Sequence, residues 1–148
     1  MATRTDIFAG TVYPSFNGTY GAVTARCRVD LAAIVAEFGA ITNGDVFKLF
    51  TLPKGFKPMG GGLTVIKPET GSTTLTAALG STDYGVTTAR SLKAAAGTVV
   101  DQSPETPTMI ASDTEVTVAI AFTGTAPVLA EFEVCIIGFW LTALPGEV

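Results

Sequence analysis

Residues 115–122 read Glu-Val-Thr-Val-Ala-Ile-Ala-Phe. Val116, Val118, Ile120 and Phe122 fall on one side of an extended chain, and Thr117, Ala119 and Ala121 on the other. A period of two is the signature of a β-strand with one face buried. The same reading extends to both sides. Residues 128–141 form a long apolar strand in which Glu131 and Glu133 share one face, with Ala130, Phe132 and Val134 opposite. Residues 73–79 set Leu75, Ala77 and Leu79 against Thr74, Thr76 and Ala78. From Ala25, residues Arg26, Arg28 and Asp30 alternate with Cys27, Val29 and Leu31.

Between these runs lie turn signals. Asn43-Gly44 precedes a buried strand over residues 46–52, which Pro53 and Gly55 break. Met59 to Gly62 is a glycine cluster that reads as a flexible turn before a strand over 63–66. Residues 68–72 and 80–85 turn again, and Val86 to Ala96 is weakly patterned, fitting a strand or a short helical turn. Val99-Val100 and Thr108-Met109-Ile110 flank a loop holding Pro104 and Pro107, and Pro145 ends the last run. One stretch stays open. Leu31, Ile34, Val35 and Phe38 fit a helical stripe capped by Asp30 and Gly39, and equally a continued strand. About eight short strands separated by turns predict an all-β antiparallel sandwich of jelly-roll type. Residues 1–24 show no such period. They read as an extended N-terminal arm, and 25–148 as a single β-sandwich domain.

Composition narrows the function. The 148 residues are 47% hydrophobic and 15% charged, against about 25% charged in an ordinary domain. Thr (23), Ala (20) and Gly (16) replace the charge, and histidine is absent. Net charge is −4, so no basic footprint for nucleic acid exists, and Arg26 with Arg28 do not make one. Without histidine there is no Ser-His-Asp triad, no Cys-His pair and no histidine metal centre. Gly60-Gly61-Gly62 lacks the Lys-Ser/Thr of a phosphate loop. Glu131 and Glu133 stand about 7 Å apart on a strand, a spacing that glycoside hydrolysis can use. Any two outward glutamates on a strand meet that test, however, and a solvated or interface face explains them as well. Asp83, Asp101, Asp113 and Glu115 are scattered through turns and form no calcium ladder. The expectation is a non-enzyme with no cofactor and no metal.

The start, Met1 to Asp6, is polar, and no secretory signal is expected. The apolar run 134–144 is shorter than the about 20 residues of a membrane span, so no membrane partner is expected; its segment 136–144 is expected to be core or a subunit interface. Cys27 and Cys135 both lie in apolar stretches and read as reduced core residues. Asn17-Gly18-Thr19 reads as a turn. In the arm, Phe8, Tyr13, Phe16 and Tyr20 are the candidate partner contacts, since aromatics dominate interface energetics. Packing of the arm against the edge of its own domain accounts for them equally.

The layout resembles the small cement or decoration proteins of tailed bacteriophage heads. An extended arm comes first. A strand ends at Leu52-Pro53-Lys54-Gly55, and another passes through Leu63-Thr64-Val65-Ile66. Thr74 to Gly80 then leads into Thr82-Asp83-Tyr84-Gly85, and a loop reaches the final strand pair. The resemblance spans residues 46–141. It implies a jelly-roll homotrimer on the outside of a virion, bound to the major capsid protein and locking the expanded lattice. An alternative is a tail or head-fibre domain that binds a host surface glycan. A jelly-roll enzyme such as a cupin is a third, which the missing histidines oppose.

Overall fold

The structure is a computed structural model that describes residues 3–4, 22–52, 54–80, 89–101 and 109–140. The described strands are β1 (Thr3–Arg4), β2 (Ala22–Asp30), β3 (Val46–Leu52), β4 (Phe56–Lys67), β5 (Ser72–Gly80), β6 (Arg90–Ser91), β7 (Val99–Asp101), β8 (Thr114–Gly124) and β9 (Glu131–Trp140). A helix, α1 (Leu31–Phe38), follows β2 directly. The strands form two sheets, in the orders β1-β3-β8-β5-β6 and β2-β9-β4-β7.

The pairing has a simple logic. β2 pairs with β9, β3 with β8, β4 with β7 and β5 with β6, each antiparallel. Successive pairs alternate between the two sheets. The chain is thus one long antiparallel hairpin, doubled back between β5 and β6 and rolled up into a sandwich, which is a jelly roll. β1 is the exception. It adds in parallel to β3 with Thr3 beside Val46 and Arg4 beside Phe47, on the edge of the chain's own sheet.

The core lies between the sheets. β8 contributes Val116, Val118 and Ile120, and β9 contributes Phe132, Val134 and Ile136, all with no exposed surface. These two strands sit inside their sheets, β8 between β3 and β5, β9 between β2 and β4. Strands with neighbours on both edges carry the longest apolar alternation. Each such side chain contributes on the order of 1.5–3 kcal/mol by burial.

Residues 31–38 are helical. The Asp30 Oδ1 accepts from the backbone N–H of Ala32 at 2.9 Å and of Ala33 at 3.4 Å. Gly39 ends the helix at φ +84°, a left-handed value that favours glycine, and its N–H donates to the Val35 carbonyl. Leu31 and Ile34 are buried, which selects the helical reading over a continued strand.

Two expectations are corrected. Gly60-Gly61-Gly62 is not a turn but the middle of β4, paired with Ile137, Ile136 and Cys135 of β9. Glycine lacks a side chain but keeps its ladder N–H and C=O. The neighbouring β9 supplies the partners that a turn would not need. A bulge between Pro58 and Gly60 absorbs one extra residue, Met59. Second, the two cysteines are not both core. Cys27 is buried, whereas Cys135 is half-buried and opposite Arg26 on the outer face. Alternation forces this: with Val134 and Ile136 inside, position 135 points out. Both thiols are free. Burial pushes the Cys27 thiol up to about 11, with the nearby Glu133 charge adding to it.

At one end of the sandwich a buried carboxylate joins two connections. Glu69 is 2% exposed. Its Oε1 accepts from the N–H of Thr70 (3.1 Å) and Gly71 (2.9 Å). Its Oε2 accepts from Val128 (3.0 Å), Leu129 (2.8 Å) and Ala130 (3.1 Å). The turn after β4 is thereby fixed to the connection before β9.

Candidate functional site

The described surfaces with a distinct character are the outer faces of the two sheets. On the first sheet, Thr74, Thr76 and Ala78 of β5 lie beside Thr117, Ala119 and Ala121 of β8. Ala78 faces Ala119, which also faces Val46 of β3, and Thr76 faces Ala121. The outward placement matches the sequence reading, and the two strands prove to be neighbours. The hydroxyls are already engaged: Thr74 and Thr123 share a hydrogen bond of 2.7 Å, and Thr76 donates to the Ala121 carbonyl at 3.4 Å. The charges at this face are Lys48 and Glu115, joined at 3.0 Å. The result is a smooth face of small side chains with its polar groups satisfied.

The outer face of the second sheet is divided. At one end, Arg26 binds Glu133 through Nε (3.1 Å) and Nη2 (2.6 Å), and Arg28 binds Glu131. The glutamates on one strand and the arginines on the next thus form two diagonal pairs between β2 and β9. The hydrogen bonds that Arg26 donates to Glu133, and the charge of that carboxylate, hold the guanidinium even more firmly protonated than usual. Each carboxylate is engaged by a guanidinium. The pairing also cancels the two arginines as a basic patch.

The other end is apolar. Ile137 and Phe139 of β9 are 47% and 43% exposed, and Met59 at the β4 bulge is 43% exposed. Phe139 lies opposite Lys57, and Ile137 opposite Gly60. Gly60 and Gly62 carry no side chains, so the sheet beside Ile137 is bare backbone. In the segment 136–144, expected to be core or a subunit interface, Ile136 is fully buried while Ile137 and Phe139 are exposed in the single chain. The signal was present in the sequence, because Glu131 and Glu133 fix the odd-numbered positions as outward. Met109 is also exposed, next to Ile110, whose N–H donates to the Phe56 carbonyl at 2.8 Å.

The four aromatic arm candidates, Phe8, Tyr13, Phe16 and Tyr20, lie outside the described residues, as do the Pro53 and Asp83-Tyr84-Gly85 positions of the resemblance. Among the described residues no group of three or more Cys, Asp or Glu side chains converges as metal ligands do. No helix among them is long and apolar enough to cross a membrane.

No protein-family model matches the chain, and no curated protein matches it. Among solved structures the fold is similar to a chain of the capsid of Ralstonia phage GP4. The TM-score is 0.67 with 17% identity, and the match covers 97% of this chain and 100% of that one. At that identity the likeness is one of fold.

Proposed function

We propose that the protein is a virion structural subunit, a cement or decoration protein that binds the outside of a bacteriophage head and stabilises its lattice. The observation that carries this is the fold likeness to a phage capsid chain over 97% of this chain and all of that one. The surface supports it: on the outer face of the second sheet the Arg26–Glu133 and Arg28–Glu131 pairs lie beside the exposed Met59, Ile137 and Phe139, a surface suited to being covered by protein. In this reading the partners are the major capsid protein and two further copies of the chain in a homotrimer closed by a heterologous interface. The N-terminal arm, read from the sequence over residues 1–24, anchors its Phe8, Tyr13, Phe16 and Tyr20 on a neighbour, while Thr3–Arg4 and the chain from Ala22 belong to the sheets of the sandwich. The chain does no catalysis. A trimer presents three linked copies of each contact to the shell, so modest contacts suffice.

The test mixes purified protein with emptied, expanded heads of the phage that encodes it. Saturable, stoichiometric binding that raises the temperature of head disruption is expected. Heads that neither bind the protein nor gain stability refute the proposal.

A further inference from the structure

We infer that the chain docks on the head shell through the apolar end of the β2-β9-β4-β7 sheet, with Met59, Ile137 and Phe139 as its anchors over the bare Gly60 and Gly62 backbone. The inference rests on the virion role proposed above and adds to it the face that meets the shell. Binding energy at an interface concentrates in a few large side chains surrounded by neutral contacts. The outer face of the first sheet has no large hydrophobic residue classed as exposed among the described residues, whereas this end of the second sheet has three side by side. Its rim holds the Arg26–Glu133 pair, already joined, and Lys57, which lies opposite Phe139. Glycines within a strand leave a shallow floor on which a partner's side chain can lie flat, restoring packing that the strand itself lacks.

The area argues for the occupant. Three large apolar side chains at 43–47% exposure offer roughly 250 Å², taking about 200 Å² for each whole side chain. A stable pairwise complex buries about 800 Å² per partner. The patch is too small to hold two copies together by itself. It suits a contact made by each subunit of the proposed trimer, where three linked patches meet the shell at once.

The experiment compares three proteins on emptied, expanded heads of the encoding phage: the wild type, the double variant Ile137→Thr with Phe139→Thr, and Ala121→Lys on the opposite outer face. Threonine keeps strand propensity at both positions. The double variant is expected to bind at least tenfold more weakly with an unchanged melting temperature, and Ala121→Lys to bind as the wild type does. Wild-type binding by the double variant, or an equal loss in Ala121→Lys, overturns the inference while leaving the virion role standing. Wild-type protein that binds no heads removes both. Should the double variant not fold, peroxide oxidation of Met59 in the unaltered protein reads the same face. At least fivefold slower oxidation on heads is expected, and an unchanged rate in the bound protein overturns the inference.

Discussion

Substituting Glu69 by glutamine tests the buried clamp that ties the turn after β4 to the connection before β9. The carboxylate accepts five backbone N–H groups, two on Oε1 and three on Oε2. Glutamine retains one acceptor oxygen. Its best placement serves Val128, Leu129 and Ala130 and turns the amide NH₂ toward Thr70 and Gly71, where donor then faces donor. Two orphaned N–H groups at about 1 kcal/mol each, with weaker bonds at the other three, amount to about 3 kcal/mol. For a chain of this size that is a fall in melting temperature of roughly 6–12 °C at pH 7. Acidity supplies the second half of the test. Burial pushes the Glu69 carboxyl up, but the N–H groups of Leu129, Gly71, Ala130 and Val128 outweigh it and hold the group below its ordinary value. A lowered folded value means that the ionised clamp stabilises fully above the ordinary carboxylate range and loses this as pH falls through the folded value. The wild type therefore approaches the Glu69→Gln variant on acidification. Melting curves from pH 7 to pH 3 measure both effects. A variant within 2 °C of wild type at pH 7, or a gap that does not narrow in acid, refutes the reasoning.

Other perturbations follow from single contacts. A methyl group at Gly138 would fall onto the Lys57 carbonyl and within 2.6 Å of the Phe56 ring, so Gly138→Ala is expected to cost about 3 kcal/mol in denaturant titration. Asp30→Ala removes the cap of α1 and is expected to cost about 1 kcal/mol, seen as a melting shift of roughly 2–4 °C. Cys27 is buried with its thiol pushed up to about 11, so at pH 8 a thiol reagent should leave it unmodified in the native protein. Cys135, half-buried and also raised chiefly by burial, should react slowly, and both should react once the chain is unfolded in denaturant. Deleting residues 1–20 is expected to leave a folded sandwich, judged by circular dichroism, with weakened binding to heads; loss of the fold would make the arm part of the core.

The sequence by itself determined the elements. Alternation in 115–122 and 73–79 set which residues of β8 and β5 face the core, because burial of one face imposes a period of two. The caps Asp30 and Gly39 marked both ends of α1, although helix and strand stayed open until Leu31 and Ile34 were seen to be buried. Missing histidine and scarce charge excluded most chemistry. Tertiary structure decided what depends on a neighbour distant in sequence. Gly60 to Gly62 read as a turn because local signals cannot reveal that β9 completes their ladder. Glu69 looks like an ordinary turn residue until the connection before β9, about sixty positions later, brings three N–H groups to its oxygen. The pairing of Arg26 with Glu133 and Arg28 with Glu131 required β2 and β9 to be adjacent, and that adjacency turned two apparent patches into neutral surface. Ile137 and Phe139 stand on the outer face because sheet pairing fixes the phase of β9, whatever the apolar character of the run around them.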